Sequence, residues 1–460
     1  MKVQDANSGK QKADPVVILV DNKRRDLDVA ALIAHRLDSV GITCHLEPLE
    51  AFRAVVGAYR PGMIVFNHLN ASHLAEWSRR LVEIGVLVAV LPNEGFVYEK
   101  EARPFMSGRF HQPHVDQFFC WNEQHRNALI EEGIDKSKLH IVGVPRFDFY
   151  FEPCSQNLPP APPRKSNRPR ILLCTNFILA KLRDRMEDAD RLFAGKQQTI
   201  SFVQDYRGAV ESQWRSRARV LEYLETVIDD GRFEVLLRPH PSEDATYYKA
   251  WLDSLPETSR LRILFEPKGG IAPLILDCDL EISCESCTTA VESWIAGKPT
   301  IELVFDKHPM LYRASHASLN FPCSAPAALP EMIAQHLAAP DQPEKRDLRV
   351  QHLATWCATP DGRSSEKIVR IIDEAVRNKR PSDWSKLGLN DYRRATKLLG
   401  LRKLNLAYHF DPLLPFKRRL FGKRYVVKDL TYRKSIKPRD VREARQRLEK
   451  ILAASPAARN

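Results

Sequence analysis

Residues 279–305 constrain the fold most, because one short stretch carries the pattern of a strand, a turn, a helix and a second strand. The run 279–282 alternates acidic and apolar residues as a strand can, the turn that follows is rich in hydroxyl groups, and the helical segment stops at Gly297 before a second alternating run. Strands that alternate with helices favour a parallel sheet. The stretch therefore predicts an α/β fold with a polar turn at the carboxyl end of one strand.

The same alternation occurs in both halves of the chain. Val16–Val20 is wholly apolar and β-branched, and a helical pattern follows it. A chain of 460 residues is too long for a single core. We predict an α/β fold, with two Rossmann-like domains facing each other across a cleft and a basic helical extension. The expected segments are a disordered N-terminus (1–15), the first domain (16–152), a linker with six prolines (153–169), the second domain (170–378) and the extension (379–460).

Composition indicates an ordinary folded protein of a reducing compartment. Hydrophobic residues make up 43% of the chain and charged residues 28%. The nine cysteines lack the spacing of a small disulfide framework. The first 15 residues have no stretch of signal-peptide type, and no apolar run has the length of a membrane span. We therefore expect a cytoplasmic protein.

The net charge of +12 is concentrated near the end of the chain. Residues 401–450 carry 16 Lys or Arg against 5 Asp or Glu, and aromatic residues lie among the cations of 416–425. This pattern favours docking at an anionic membrane surface. Nucleic-acid binding, which is less favoured, and a pair of solvated helices are the alternatives.

The sequence Arg238-Pro239-His240-Pro241 follows an apolar strand pattern. Two prolines restrict the backbone on either side of the imidazole, so the ring would point in a fixed direction. A fixed ring suits a contact with an anion better than it suits a mobile acid or base. The alternative is a histidine that caps a turn.

Four hydroxyl groups follow the strand of the 279–305 stretch, at Ser283, Ser286, Thr288 and Thr289. Hydroxyl and backbone N–H groups at the start of a helix can bind phosphate. An N-cap would explain one hydroxyl and leave the other three unexplained.

Metal or redox chemistry at the three neighbouring cysteines is disfavoured, because a fourth ligand at fitting spacing is missing. No phosphate-binding loop of the ATPase type and no dinucleotide fingerprint occurs. The three cysteines are Cys278, Cys284 and Cys287.

Glu94 follows a strong apolar strand of the first domain and precedes a glycine. A carboxylate in this position can take a proton from a substrate hydroxyl. A turn with a solvated glutamate is the alternative. The polar run 21–28, which includes Arg25, also follows a strand and would meet an anionic acceptor or face water.

Six short motifs occur in an order and spacing that resemble a known family. Together, over residues 16–376, they are similar to bacterial surface carbohydrate biosynthesis glycosyltransferases of the GT-B fold. Sialyltransferases and capsule Kdo-transferases, which use CMP-activated sugars, have similar patterns. The motifs are Asn-Glu-Gly at 93–95, Gly-Val-Pro-Arg-Phe-Asp at 143–148, Thr-Asn-Phe at 175–177, Arg-Pro-His-Pro at 238–241, Ser-x-x-Ser at 283–286 and Gly-Lys-Pro at 297–299.

The resemblance implies transfer of a sugar from a CMP-linked donor to a glycan or lipid-linked glycan, without a metal, at the inner face of the membrane. It implies Glu94 as the catalytic carboxylate, although Asn93 stands where the family motif has a second acid. A CDP-alcohol phosphotransferase of the teichoic-acid type and a non-catalytic sugar-binding or scaffold protein are the alternatives. The implied nucleotide-binding residues are Arg238, His240, Pro241, Ser283, Ser286, Thr288, Thr175 and Asn176, and the implied acceptor-binding residues are Arg25, Asn93 and Arg146.

Overall fold

The computed structural model describes residues 13–93, 111–193, 203–421 and 436–453, and the chain divides into two compact units. The first unit contains the described residues up to 145 and those from 363 onward. The second unit contains the described residues from 146 to 362. The chain therefore passes from the first unit to the second and back again.

The first unit is built on a six-stranded parallel sheet with the order β2-β1-β3-β4-β5-β6. Residues of β1 pair in register with both neighbours, Val16 with Cys44 on one side and with Met63 on the other. Every residue of β1 and β3 is buried, as the continuous apolar runs predicted. The strands are β1 (Val16–Val20), β2 (Cys44–Pro48), β3 (Met63–Phe66), β4 (Leu87–Val90), β5 (Gln117–Cys120) and β6 (Leu139–Ile141).

Helices cover this sheet from two parts of the chain. In the first helix the predicted apolar positions, from Leu27 to Leu37, are buried. The helices that lie between the strands are α1 (Leu27–Ser39), α2 (Ala54–Tyr59), α3 (Ser72–Ile84) and α4 (Glu123–Glu131).

The second unit has its own six-stranded parallel sheet, with the order β12-β11-β10-β7-β8-β9. Its helices are α5 (Met186–Phe193), α6 (Tyr206–Asp230), α7 (Ala245–Ser254), α8 (Glu257–Arg260), α9 (Ala272–Asp277), α10 (Thr289–Ile295), α11 (Ala314–Ala317), α12 (Leu329–Ala338) and α13 (Pro343–Cys357). Its strands are β7 (Arg170–Cys174), β8 (Glu234–Arg238), β9 (Ile263–Phe265), β10 (Leu280–Cys284), β11 (Thr300–Leu303) and β12 (Phe321–Cys323). The predicted α/β class with two Rossmann-like units is confirmed.

The proline-rich segment 153–169 belongs to the second unit instead of standing between two domains. Arg164 donates to Asp279 Oδ2 at 2.7 Å, and the backbone N–H of Lys165 donates to Glu234 Oε2 at 2.7 Å. Charged side chains thus fix this segment to the amino ends of β8 and β10. The composition showed the prolines, but the ion pairs depend on residues distant in sequence.

The C-terminal residues complete the first unit. The expected boundary at 378 differs from the observed one, because the helix Ser364–Asn378 packs on α1 and Arg36 donates to Glu366 Oε1 at 2.6 Å. The next helix packs on α2 and the last on α1. Among the described residues no helix is long and apolar enough to cross a membrane. These helices are α14 (Ser364–Asn378), α15 (Leu389–Lys403), α16 (Leu414–Phe421) and α17 (Pro438–Ala453).

The N-terminal boundary also differs in part from the expectation. Residues 1–12 of the expected disordered segment 1–15 lie outside the described residues. Asp14 forms an ion pair with Lys379 at 2.9 Å, and the carbonyl of Pro15 accepts a hydrogen bond from the N–H of Gly62. The residues directly before β1 are therefore ordered.

Candidate functional site

The second sheet reverses its direction of growth between β7 and β10. From β7 the chain adds β8 and β9 on one side, returns to place β10 beside β7, and then adds β11 and β12 on the other side. In sheets of this kind, ligands bind outside the carboxyl ends of the strands at the point of reversal. Thr175 follows β7 there, His240 follows β8, and Ser286 and Thr288 follow β10. The structure thus brings four predicted nucleotide-binding residues to one edge of the sheet.

Glu243 connects two of these strand ends. Its Oε1 accepts a hydrogen bond from the Thr175 hydroxyl at 2.7 Å and another from the backbone N–H of His240 at 3.1 Å. Its Oε2 accepts from the hydroxyl of Tyr248, which is fully buried, at 2.6 Å. Burial raises the pKa of Glu243 above its ordinary value, and the donors partly offset that rise. Glu243 therefore fixes the loop that carries His240.

The imidazole of His240 is oriented by its own loop. The backbone N–H of Ser242 donates to His240 Nδ1 at 3.1 Å. A ring nitrogen that accepts a hydrogen bond carries no proton, so the proton of the neutral ring lies on Nε2. Pro239 and Pro241 flank the residue, as the sequence shows, and Pro241 is half-buried. In the neutral ring, Nε2 is therefore the nitrogen of His240 that can donate a hydrogen bond.

Arg238 was predicted to bind phosphate, but its side chain binds backbone carbonyls of the protein. Its guanidinium donates to three backbone carbonyls of the loop after β9, those of Glu266 at 2.8 Å, Lys268 at 2.5 Å and Gly269 at 2.7 Å. The side chain is only 5% exposed. The planar guanidinium thus holds a loop at the carboxyl edge of the sheet. Its effect on a ligand at this edge would be indirect.

The predicted serine pair separates into two environments. Ser283 lies inside β10, has no exposed surface, and donates to the carbonyl of Cys287 at 3.4 Å. Ser286 is half-buried, and its hydroxyl accepts a hydrogen bond from the backbone N–H of Arg313 at 3.1 Å. Thr288 precedes α10 but makes no capping bond with its side chain. Of the four hydroxyls, Ser283 is therefore structural.

The turn after β10 has an unusual backbone. Glu285 and Ser286 have φ angles of +55° and +51°. Two successive residues with side chains in the left-handed region cost about 1–3 kcal/mol each, and such strain is concentrated at ligand sites. The backbone N–H of Ser286 donates to Glu302 Oε1 at 2.7 Å, which helps to hold this conformation.

Three buried carboxyl groups lie in or next to this turn, those of Glu281, Glu285 and Glu302. Glu302 accepts from the Asn320 amide at 3.1 Å as well as from Ser286, and Glu281 accepts from the Thr289 hydroxyl at 2.9 Å. Burial raises the pKa of Glu281 and Glu285 to about 8 and that of Glu302 to about 7. Their proximity to one another adds to the shifts of Glu281 and Glu285. The turn therefore contains or borders carboxyl groups whose raised pKa favours the neutral, protonated form.

Asn176 is placed at the same edge by its backbone. Its carbonyl accepts a hydrogen bond from Gln213 Nε2 at 2.9 Å, and Gln213 Oε1 accepts from the N–H of Leu179 at 2.7 Å. Gln213 lies on α6 and is buried. The helix thus fixes the segment after β7, and the Asn176 side chain is half-buried.

The first sheet has its own point of reversal, between β1 and β3. Asn93 Nδ2 donates to Asp26 Oδ2 at 2.9 Å, and Asn67 Nδ2 donates to Asn93 Oδ1 at 3.2 Å. Asp26 follows β1, Asn67 follows β3 and Asn93 lies beyond β4, so one relay joins three neighbouring strand ends. The residues line a cavity of about 20 Å³. The predicted acceptor residue Asn93 thus lies at the carboxyl edge of the first sheet, the edge at which sheets of this kind bind ligands.

The two arginines predicted to bind the acceptor have carboxylate partners. Arg25 Nε donates to Asp26 Oδ1 at 2.7 Å, and its guanidinium lies 3.7 Å from Asp21. Arg146 belongs to the second unit and lies 3.5 Å from Glu292, which also accepts from Tyr150 at 2.6 Å. Arg25 is therefore beside the relay with its charge compensated. Arg146 is paired with a carboxylate of the second unit, so the predicted acceptor residues do not belong to one unit.

The predicted catalytic Glu94 lies outside the described residues. All nine cysteines are buried and free, and among the described residues no three histidine, cysteine or acidic side chains converge as metal ligands would. Burial raises the pKa of Cys278 and Cys287, the latter to about 12.

No family model and no curated protein matches this chain. Solved structures resemble it in fold. A UDP-GlcNAc 2-epimerase from Methanocaldococcus jannaschii, in complex with UDP-GlcNAc and UDP, is 15% identical with a TM-score of 0.45, covering 78% of this chain and 99% of its own. The enzyme of the same name from Neisseria meningitidis, bound to UDP-GlcNAc, is 13% identical with a TM-score of 0.46, covering 78% and 100%. A glycosyltransferase from Rickettsia africae is 13% identical with a TM-score of 0.42, covering 80% and 100%.

Sequence reasoning missed the residues that organise both edges. Glu243 is three residues after His240 and Asp26 lies in the polar run 21–28, so each was near a recognised motif. Asn67 and Gln213 had no signal of their own, because their partners are 26 and 37 residues away. Local patterns showed which strand ends are polar, but they did not show which polar groups bond to each other.

Proposed function

We propose that this protein is a glycosyltransferase of surface polysaccharide biosynthesis that uses a nucleotide-linked sugar, with CMP as the leaving group. The observation that carries the proposal is the meeting of Thr175, His240 and Ser286 at the reversal point of the second sheet. Nucleotides bind at such points in doubly wound sheets. The presence of a second Rossmann-like unit with its own polar edge provides a place for an acceptor.

The second unit would hold the donor through groups of the protein, without a metal. His240 would donate from Nε2 to a phosphate oxygen, since its Nδ1 is occupied by Ser242. Thr175, Asn176 and Thr288 lie on the same edge, and Arg238 would act by holding the loop 266–269. Stabilisation of the departing phosphate by fixed donors is the main electrostatic contribution expected at such a site.

Transfer would take place in a single displacement step. An acceptor oxygen forms a bond to the anomeric carbon, the bond from that carbon to the phosphate oxygen breaks, and CMP leaves with the electron pair. Glu94 would take the proton of the acceptor hydroxyl. Its neighbour Asn93 is held by Asp26 and Asn67, which gives the residue before the proposed base a fixed position.

A donor panel tests the proposal. The chain is incubated with CMP-linked sialic acid, CMP-linked Kdo, CDP-glycerol and UDP-GlcNAc, each with glycan acceptors, and both free nucleotide and product mass are measured. We expect CMP release together with a product heavier by one sugar. A product heavier by glycerol phosphate would identify a CDP-alcohol phosphotransferase, and epimerisation of UDP-GlcNAc would identify a different enzyme. Absence of turnover with tight nucleotide binding would support a binding or scaffold role.

Glu94→Gln tests the base within the same assay. The variant should bind CMP as the wild type does and should lose transfer, because a neutral amide cannot take the proton. Thr175→Ser keeps the hydroxyl that Glu243 accepts and serves as a control for small changes at the edge. An active Glu94→Gln enzyme would exclude the base role.

We propose that the acceptor is made at a membrane and that part of the basic extension docks there. Seven of the 14 large hydrophobic side chains exposed in the described residues lie between 389 and 420. Exposed cations alternate with them, which complements an anionic lipid surface. The apolar residues are Leu389, Tyr392, Leu399, Leu404, Leu413, Phe416 and Leu420, and the cations are Arg393, Lys397, Lys403 and Arg419.

Helix α17 has a different role from this surface. Its Val441, Ala444 and Leu448 are buried, and it packs on α1. Arg445 and Arg447 pair with aspartates of the first unit at 2.6 Å. Within the described residues, we therefore propose residues 389–421 as the membrane-docking surface in place of the predicted segment 401–450.

A further inference from the structure

The turn that carries Ser286 is held by a carboxyl group on the neighbouring strand. Glu302 of β11 is 1% exposed, and its Oε1 accepts a hydrogen bond from the backbone N–H of Ser286 at 2.7 Å. Glu285 and Ser286 both have left-handed backbone angles at this point. A backbone N–H can only donate, so the bond requires an acceptor on Glu302. The shape of the turn therefore depends on the hydrogen-bonding state of one buried carboxyl group.

The other oxygen of Glu302 ends a series of buried hydrogen bonds that starts on α13. The guanidinium of Arg349 donates to Thr300 Oγ1 at 2.9 Å, and the hydroxyl of Thr300 donates to Asn320 Oδ1 at 2.7 Å. Asn320 Nδ2 then donates to Glu302 Oε2 at 3.1 Å. All four side chains are buried. We name these four residues, Arg349, Thr300, Asn320 and Glu302, the Glu302 network.

The direction of each bond in the Glu302 network is determined by groups that can only donate. The guanidinium of Arg349 has no acceptor, so the oxygen of Thr300 accepts from it and the Thr300 proton goes to Asn320. The indole N–H of Trp294 donates to the same Asn320 Oδ1 at 3.0 Å. Asn320 therefore presents its NH2 group to Glu302, and the opposite amide orientation would leave these donors without an acceptor.

Glu302 thus meets a donor on each oxygen, and a proton on either oxygen would displace one of them. Burial raises the pKa of Glu302 to about 7, although the hydrogen bonds from Ser286 and Asn320 act in the opposite direction. The pKa values of Glu281 and Glu285 are raised further, to about 8, first by burial and in addition by the charge of Glu302. Glu302 is therefore the first of the three to ionise as the pH rises, and its hydrogen bonds are complete in that form.

We infer that Glu302 is a positioning residue of the donor site: as a carboxylate, oriented by the rest of the Glu302 network, it sets the turn of Ser286 beside the nucleotide. The inference rests on the proposed function, because it concerns the site assigned to the donor. The turn follows β10 and Thr175 follows β7, the two strands between which the sheet reverses. A change in the turn therefore alters one side of the ligand-binding edge without removing a group that contacts the ligand.

A carboxylate swap within the Glu302 network tests this. Glu302→Gln removes one acceptor, so one buried donor loses its partner, and CMP should bind about tenfold more weakly in isothermal titration. Adding Asn320→Asp should restore wild-type affinity, because the amide introduced at 302 can donate to the carboxylate introduced at 320. That carboxylate still accepts from Trp294 and Thr300. Equal CMP binding by wild type and Glu302→Gln, or a double variant as weak as the single one, would overturn the inference.

A control separates the position of the turn from the stability of the unit. Ile301→Val shortens a fully buried side chain of the same strand, so it lowers stability and leaves the Glu302 network intact. Its CMP affinity should equal that of the wild type. Hydrogen exchange of the peptide that contains Ser286 should accelerate in Glu302→Gln and return to the wild-type rate in the double variant. A loss of CMP affinity in Ile301→Val as large as that in Glu302→Gln would overturn the inference.

Two further measurements keep the outcomes separate. If Glu302→Gln does not fold, Thr300→Val interrupts the Glu302 network and is judged by the same weakening, with Thr300→Ser, which keeps the hydroxyl, as its control. UDP is titrated in parallel, and the same pattern with UDP but no binding of CMP would keep the inference and reject CMP as the leaving group. Nucleotide binding without turnover in the donor panel would keep it and reject the transferase. A wild-type chain that binds neither nucleotide would overturn it.

Discussion

The hydroxyl of Thr175 donates to Oε1 of Glu243 at 2.7 Å, so the end of β7 is fixed to the loop that follows β8. The same oxygen accepts the backbone N–H of His240. One carboxylate thus sets the spacing between two strand ends that are proposed to meet the donor nucleotide. The consequence can be measured by changing that carboxylate alone.

Glu243→Gln should weaken CMP binding about tenfold. The two carboxylate oxygens accept hydrogen bonds from Thr175, His240 and Tyr248, and the NH2 group that replaces one of them cannot accept. Isothermal titration with CMP measures the effect. Glu225→Gln is the control, since Glu225 accepts from Trp251 on an exposed surface. Unchanged CMP affinity in Glu243→Gln would show that the network does not shape the nucleotide site.

Arg238→Lys should lower the free energy of unfolding by about 1–3 kcal/mol, because an ammonium group cannot replace a planar fork that reaches three carbonyls. Hydrogen exchange of residues 266–270 should accelerate in the variant. Denaturant unfolding gives the first quantity and mass spectrometry of peptides the second. A lysine variant with wild-type protection of that loop would contradict the role assigned to Arg238.

Stability should depend on pH through Glu281. Burial raises its folded-state pKa to about 8, above an ordinary value of 4.5, so the folded state keeps a proton that the unfolded chain has lost. The stabilising contribution is complete below about pH 4.5 and is lost as the pH rises towards 8. Glu281→Gln should match the wild type at pH 5 and be more stable at pH 8, as denaturant unfolding would show. An advantage that does not grow with pH would contradict the prediction.

Gly57→Ala should destabilise the first unit, although alanine normally favours a helix by about 1 kcal/mol. A Cβ at Gly57 would lie 3.1 Å from both the Ala395 Cβ and the Asp391 carbonyl oxygen, where α2 and α15 pack together. The expected cost is about 1–3 kcal/mol. Gly400→Ala is the matched control, because no atom lies within 4 Å of the added group and the variant should gain stability. Equal effects of the two changes would rule out close packing as the cause.

Membrane docking should depend on the 389–421 surface and not on total charge. Arg393→Gln with Arg419→Gln should reduce binding to phosphatidylglycerol vesicles about 30-fold, at about 1 kcal/mol for each cation. Arg445→Gln with Arg447→Gln removes the same charge from paired positions and should have a small effect. Flotation measures both, and Phe416→Ser with Leu420→Ser should weaken binding without a change in charge. Equal loss in the two arginine pairs, or a salt-sensitive RNA shift without lipid binding, would contradict the assignment.

The fold could be predicted from the sequence because its signal is local. The run Val16–Val20 is a strand as expected, and the helical pattern after it is α1. The site could be predicted only in part. His240 and Asn93 lie at strand ends as their motifs indicated, but the partners of Arg238 and Ser283 depend on loops and turns that form only after the sheet is assembled.

Contacts between residues distant in sequence also explain why the domain boundaries differ from the expected ones. The sequence placed residues 364–378 at the end of the second domain, but the buried face of α14 packs on α1 of the first unit. The prolines of 153–169 predicted a linker between the two domains, whereas Arg164 and Lys165 fix the segment to the second unit. Periodicity identifies which face of a helix is buried, but it does not identify the surface against which that face packs.

In the described residues the chain enters the second unit after residue 145 and returns to the first after residue 362, and this sets an order of events during synthesis. Residues 146–362 are contiguous, so the whole second unit leaves the ribosome before α14, α15 and α17 are made. The first unit buries the surfaces of α1 and α2 under those late helices. Because domains fold as units once their sequence is complete, we expect the second unit to fold first. The first unit begins earlier in the sequence, but part of its apolar surface stays uncovered until the late helices are made. During that interval the nascent chain needs protection from aggregation.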